Sequence, residues 1–471
     1  MKRMRGNIRR VIPLMCVLFL LLGAWGAGNL AVNGRRWFSF SSNAYARQMK
    51  KEVTEGAVLD TRGVVLASTF GEERVYHSDE RVRRATVHVL GDRDGNVANG
   101  VESFMSYYLY GFDQPFGEEV RSVLYGTGRR GSDVCLTVDS ALSANILGWF
   151  PADKKGAVIV MNYRTGAVLA ECSFPNFDPA DVTASVKTDP GQPFFNRAVQ
   201  GMYAPGSTFK IITLTAMLEN FPDALDRRYL CDGQLTVGGH LITDAGTDLE
   251  RQVVTRHGDL GLERAFRVSC NNTFARAALE LSDRRLRAEA EKFGYNYNFL
   301  FRDMVVENSS YPSDNRTDRE VAMTGIGQSA LLCTPMQVLL SACAAANDGA
   351  VMEPRLLQSV VAPDGKETVS FTSAVFRRVM DEATARTVRE QMYQAVVSGT
   401  GTRAAVPGHR ICGKTGSAEI DGRENTNAWF VGFIDEENAP YAVVVLVEDA
   451  GGGGSVAAPV AGQIFRYLLG E

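Results

Sequence analysis

Charge vanishes from the chain between residues 11 and 32, directly after a basic stretch holding Lys2, Arg3, Arg5, Arg9 and Arg10. An apolar run of that length predicts a helix across a bilayer, and the basic flank places its start in the cytoplasm. A cleavable signal peptide is the rival, because Ala24, Ala27 and Gly28 suit a peptidase. The apolar length favours an uncleaved anchor, and either way the remainder is exported. Farther along, the pattern shortens to strand-like runs. Residues 56–67 predict two strands around a turn at Asp60-Thr61-Arg62-Gly63, and residues 156–161 with 167–172 predict an antiparallel hairpin. Apolar runs at 428–434 and 441–447 predict two more strands, separated by a polar Asp435-Glu436-Glu437-Asn438 turn. Helices are predicted after Lys210, over 262–281, over 335–347 and over 457–469, with Ser269-Cys270-Asn271 on a loop between helices that faces a cleft. The one after Lys210 is apolar on most sides, so it belongs inside the protein.

These elements amount to an α+β chain: an antiparallel sheet with flanking helices, split by an all-helical insertion between its early and late strands. At 471 residues the chain is too long for a single core, which predicts two folded units besides the anchor. A net charge of −4 gives no electrostatic reason to bind nucleic acid. The five histidines have no metal-ligand spacing, and no metal or other cofactor is expected. Of eight cysteines, Cys16 lies in the apolar N-terminal run; the other seven form no Cys-x-x-Cys pair and read as mostly reduced.

Chemistry concentrates where the loop Tyr203-Ala204-Pro205-Gly206 enters the buried helix. Ser207 and Lys210, three residues apart, share a helical face, so the amine comes within reach of the hydroxyl. A serine is a weak nucleophile until a base takes its proton, and a desolvated lysine can be that base. The helix N-terminus favours an oxyanion beside Ser207. Ser-x-x-Lys alone is common, and its serine is often just a helix cap. Two further motifs change the weighing. Ser269-Cys270-Asn271 follows about sixty residues later, and Lys414-Thr415-Gly416 about 145 residues after that. Ser-x-x-Lys, Ser-x-Asn and Lys-Thr-Gly in this order form the motif set of penicillin-binding proteins and class A β-lactamases.

With Asn196-Arg197-Ala198, Gln200-Gly201, Gly325-Ile326-Gly327-Gln328, Thr334-Pro335, Gly399-Thr400-Gly401 and Ala428-Trp429-Phe430 added, the chain resembles a class B penicillin-binding protein of the PbpA type. The match is dense from about Leu136 onward and looser before it. The resemblance implies the penicillin-binding transpeptidase fold, shared with serine β-lactamases, behind an anchor and a small pedestal. The expected division is a cytoplasmic tail at 1–10, an anchor at 11–32, a stalk at 33–55, a pedestal at 56–145 and the transpeptidase domain at 146–471. It also implies roles. Ser207 attacks the D-Ala-D-Ala bond of a peptidoglycan stem peptide, Lys210 takes its proton, and Ser269 relays a proton to the leaving amine. Asn271 bonds Lys210 or the substrate amide. Lys414, Thr415, Gly416 and Ser417 bind substrate, the backbone N–H of Ser417 joining that of Ser207 as the oxyanion hole. Ser417 stands where the family commonly has threonine, and Cys270 brings no role of its own. β-Lactams are expected to acylate Ser207. A membrane-embedded glycan polymerase of the shape, elongation, division and sporulation family is the implied partner.

Three rivals share the motifs. A DD-carboxypeptidase differs only in using water to resolve the acyl-enzyme. A β-lactamase needs a base for deacylation, and no Glu-x-x-x-Asn of the class A kind lies between Asn271 and Lys414. A non-catalytic sensor or scaffold would have no use for a complete set of reactive side chains.

Overall fold

The computed structural model describes residues 12–29, 53–71, 73–114, 124–126, 128–248, 250–299, 301–313, 316–420 and 425–471. The tail expected at 1–10 and residues 33–52 of the stalk expected at 33–55 lie outside the described residues. The first described element, α1 (Ile12–Asn29), is an apolar helix of 18 residues with mean hydropathy 1.7 and none of its residues buried. Its exposed side chains have no protein core to join, as a single membrane-spanning helix requires.

In chain order follow β1 (Val58–Leu59), β2 (Val65–Phe70), β3 (Glu73–Tyr76), α2 (Glu80–Leu90), β4 (Asp133–Leu136) and α3 (Ser140–Trp149). Both helices start at aspartates whose side chains accept backbone N–H bonds, Asp79 from Arg81 and Asp139 from Leu142. β5 (Gly156–Asn162) and β6 (Val168–Phe174) form the expected hairpin. The helical part holds α4 (Lys210–Asn220), α5 (Leu262–Val268), α6 (Asn271–Lys292) and α7 (Pro335–Ala346). Then come β7 (Leu357–Val361), β8 (Glu367–Ser370), α8 (Glu382–Ser398), β9 (Ile411–Ala418), β10 (Asn427–Ile434), β11 (Tyr441–Val447) and α9 (Ala457–Leu469).

Two sheets organise the fold. The five-stranded core sheet, with the longer strands, runs β9-β10-β11-β5-β6, every neighbouring pair antiparallel. The strands other than β9, which borders the cleft, read as largely apolar runs because both faces are covered. Val158, Val160, Val443 and Val445 join a core with α3 and α9. The alternating residues Ile159, Met161, Val444 and Leu446 join a second core with α4 and α7. The other sheet has six strands in the order β8-β7-β4-β1-β2-β3. It takes strands from both sides of residue 145, since β4 pairs with β1 on one edge and with β7 on the other.

One expectation is corrected. The insertion is not all helical: Tyr229–Cys231 pairs with Gly258–Leu260, and Gln234–Val237 with His240–Thr243. The second ribbon turns on Gly238 and Gly239, whose positive φ angles (54° and 77°) allow a two-residue hairpin between strands of only four residues. The helical run over 262–281 breaks at the expected loop: Ser269 adopts a left-handed conformation (φ 59°, ψ 39°) and the chain restarts at Asn271.

Candidate active site

Close backbone approach fixes the turn that carries Ser207. Residues Gly206–Phe209 form a 3₁₀ turn that runs into α4. The N–H of Gly206 donates to the Gly327 carbonyl at 2.9 Å, and Gly327 itself has a φ of 81°. A Cβ on Gly327 would lie 1.8 Å from the Gly206 carbonyl oxygen, so only glycine fits. On the other side a Cβ on Gly416 would come 3.0 Å from the Pro205 carbonyl oxygen, which sets β9 hard against the turn. Trp429 Nε1, from β10, donates to the Ala204 carbonyl at 3.1 Å. The segment before the turn is held by paired backbone bonds between Tyr203 and Cys333, next to the Thr334 that caps α7. Tyr203 and Arg197 also both donate to Glu448 Oε1, at 2.7 and 2.8 Å.

Beneath Ser207 lie two fully buried lysines with one serine between them. Lys210 Nζ donates to Asn271 Oδ1 at 2.7 Å, to the Ser269 carbonyl at 2.8 Å and to Ser269 Oγ at 3.3 Å. Lys414 Nζ donates to the same Ser269 Oγ at 2.9 Å and to the Thr415 carbonyl at 2.9 Å. Burial pulls the Lys210 ammonium down to about 8. Burial also pushes Lys414 well down, and the Lys210 cation adds to it. The left-handed turn at Ser269 is what aims its hydroxyl between the two amines. Neighbours hold that turn: the Asn271 N–H donates to Asp244 Oδ1, and Asn271 Nδ2 to the Thr243 carbonyl at 2.8 Å.

Above this network opens a cleft of about 640 Å³, lined by Ser207, Ser269, Asn271, Thr415, Gly416 and Ser417 among others. Thr415 Oγ1 lies 2.6 Å from Thr400 Oγ1, and Ser417 Oγ accepts the Gly453 N–H at 3.2 Å. All eight residues expected from the sequence therefore meet in one place. One expected contact differs: among the described residues no hydrogen bond joins Lys210 Nζ to Ser207 Oγ, the amine being spent on Ser269 and Asn271. Thr243 and Asp244 escaped the reading of the sequence. They lie in the ribbon mistaken for helical insertion, and no motif flags them.

The penicillin binding protein transpeptidase domain matches residues 156–466. The peptidoglycan D,D-transpeptidase PbpA of Mycolicibacterium smegmatis is 29% identical over 99% of this chain and 100% of its own length. Stage V sporulation protein D of Bacillus subtilis is 33% identical over 74% of this chain and 55% of its own length. Among solved structures, a ceftriaxone acyl-enzyme complex of penicillin-binding protein A from M. tuberculosis superposes with a TM-score of 0.80 at 26% identity, covering 89% of this chain and 99% of that one. The D,D-transpeptidase domain of a peptidoglycan glycosyltransferase from Eggerthella lenta superposes with a TM-score of 0.77 at 27% identity, again covering 89% and 99%. Since the domain match takes in the nucleophile turn, both lysines and every strand of the core sheet, the chain belongs to the penicillin-binding protein transpeptidase family.

Proposed function

We propose that this protein is a peptidoglycan D,D-transpeptidase that cross-links stem peptides through an acyl-enzyme on Ser207, with Lys210 as the base. The carrying observation is the shared Ser269 Oγ, bonded to Lys210 Nζ at 3.3 Å and to Lys414 Nζ at 2.9 Å below the cleft. Three acceptors surround the Lys210 ammonium, yet burial holds its proton loosely, so a small shift of the amine toward Ser207 Oγ lets it act as base. Ser207 Oγ then attacks the penultimate D-alanine carbonyl. The backbone N–H groups of Ser207 and Ser417 take the oxyanion. Ser269, linked to both lysines, passes a proton to the departing D-alanine amine. Asn271 positions Lys210 and meets the substrate amide, while Lys414, Thr415 and Gly416 set the edge that receives the terminal carboxylate. An amine from a second stem peptide resolves the ester. A neighbouring depression of about 910 Å³ shares His240, Met323, Gln328 and Glu419 with the cleft, which supports room for two peptides.

In this reading β-lactams acylate Ser207, α1 anchors the chain with the cleft outside the cell, and residues 56–145 support it on a pedestal. Glycan polymerisation falls to a membrane-embedded polymerase of the shape, elongation, division and sporulation family. Ser207→Ala tests the core of the proposal. The variant chain should remain folded and lose all covalent labelling by fluorescent penicillin, and peptide mapping of the wild type should place the adduct on Ser207. An adduct on any other residue would sink it. Incubation with stem-peptide donor and amine acceptor should give cross-linked dimer; hydrolysed monomer alone would make the protein a carboxypeptidase.

A further inference from the structure

The depression beside the cleft has three carboxylates on its walls, Glu320, Glu419 and Glu448, and two of them are already engaged. Glu320 Oε2 accepts the Thr317 N–H and the Thr317 hydroxyl, both at 2.8 Å, in the cap of the helix Asp318–Gly325. Glu448 Oε1 accepts from Arg197 Nε and from the Tyr203 hydroxyl. Glu419 differs from both. It is exposed, and among the described residues it makes no hydrogen bond or ion pair. Glu419 also lines the cleft itself, so it stands where the two spaces join, together with His240, Met323 and Gln328. Of these four, only Glu419 brings a negative charge. Its place on the chain explains why it faces this way. Thr415 and Ser417 of β9 line the cleft while Ala418 between them and Glu419 is buried, so Glu419, just past the strand end, continues the alternation. Two residues along a strand span about 7 Å. That is the offset from Glu419 to Ser417, whose N–H takes the oxyanion in the reading above.

Resting on the transpeptidase reading, we propose that Glu419 is the residue that selects the acceptor: its carboxylate captures the amine of the second stem peptide as a primary ammonium and holds it beside the acyl carbonyl on Ser207. An alkyl amine on a peptide is protonated at neutral pH, so it arrives as a cation. A hydrogen bond between an ammonium and a carboxylate is roughly twice as strong as one between neutral groups. Water, the competing nucleophile, carries no charge and draws no such advantage. Met323 at the same junction gives the methylene arm of the amine an apolar wall. The ammonium gives one proton to the Glu419 carboxylate, which returns it to the open solvent. The freed lone pair forms the new C–N bond, the ester C–O bond to Ser207 breaks, and a second proton leaves the nitrogen through Lys210 to Ser207 Oγ. The third stays as the amide N–H of the cross-link.

The test uses the full chain, purified in detergent, as wild type, Glu419→Gln and Glu419→Asp. Stem pentapeptides with lysine or diaminopimelate at the third position serve in turn as donor and acceptor. The ratio of cross-linked dimer to hydrolysed monomer is read at fixed acceptor concentration, so it reports how the acyl-enzyme divides between amine and water whatever the rate of acylation. Glu419→Gln should lower this ratio by about tenfold or more and raise the KM for the acceptor. Glu419→Asp, which keeps the charge, should recover part of the loss. Hydroxylamine, largely uncharged at neutral pH, should take the acyl group from Glu419→Gln as readily as from the wild type. A ratio in Glu419→Gln equal to that of the wild type would overturn the proposal. So would an equal loss with hydroxylamine, because the residue would then act on the acyl-enzyme and not on a cation. Absence of dimer from the wild type itself would remove the transpeptidase reading and this proposal with it, an outcome distinct from a wild type that cross-links and a Glu419→Gln chain that cross-links equally well.

Discussion

Lys210 shows how a single side chain is set for its task by where it sits. Burial lowers its ammonium to about 8, and only the neutral amine accepts the Ser207 proton. The acylation rate with a penicillin should therefore climb as pH rises through about 8, because the protonated fraction shrinks, and fall below it. A flat rate measured from about pH 6 to about pH 10 would exclude Lys210 as the base. Lys210→Ala should lower that rate by about 10²–10⁴-fold. At this scale the sequence was readable where chemistry demands fixed residue types at short spacing, as with Ser207, Lys210 and Lys414. It was silent where a residue acts by holding another. Asp244 positions Asn271 from another segment of the chain, and nothing local distinguishes it from a surface aspartate.

Among elements, the turn between Gly206 and Gly327 does most to place the nucleophile. The backbone bond between these glycines joins the start of α4 to the loop after residues 318–325. Gly327→Ala would put a methyl group into the Gly206 carbonyl and force a left-handed alanine. The expected result is a destabilisation of at least about 1–3 kcal/mol, seen as a lower melting temperature, together with slower penicillin labelling. Unchanged labelling would mean that this contact does not position Ser207. Strands of the core sheet were legible because covered faces demand apolar runs, and α9 was legible because its apolar stripe is complete. The short ribbons around residues 229–260 were not, since each strand is only three or four residues long, too short for a period to stand out, even though a glycine pair marks the hairpin. The loop at Ser269-Cys270-Asn271 was legible through its motif, whereas the left-handed Ser269 that makes the break leaves no mark in hydrophobic periodicity.

For the whole molecule, the six-stranded sheet ties the two halves together, and a buried ion pair steadies the first of them. Arg74 on β3 is buried against Glu102 at 2.9 Å and donates to the Gly56 carbonyl at 2.8 Å. Arg74→Ala should cost about 3–5 kcal/mol, because Glu102 is left as a buried charge without its partner. Limited proteolysis should then cut preferentially within residues 53–145, while penicillin labelling of the intact fraction persists. Equal resistance to protease would show that the pair adds no stability. Arg83 on α2 reaches Asp178 at 2.6 Å, fastening the same region to the segment after β6. Because β4 is flanked by β1 on one side and β7 on the other, residues 357–370 complete a layer begun some 300 residues earlier. Gene shuffling between relatives meets this layout directly. A single crossover near residue 145 would hand one parent's β7 and β8 to the other parent's sheet, whereas a double exchange that moves 357–370 together with 53–139 keeps each interface with its native mate.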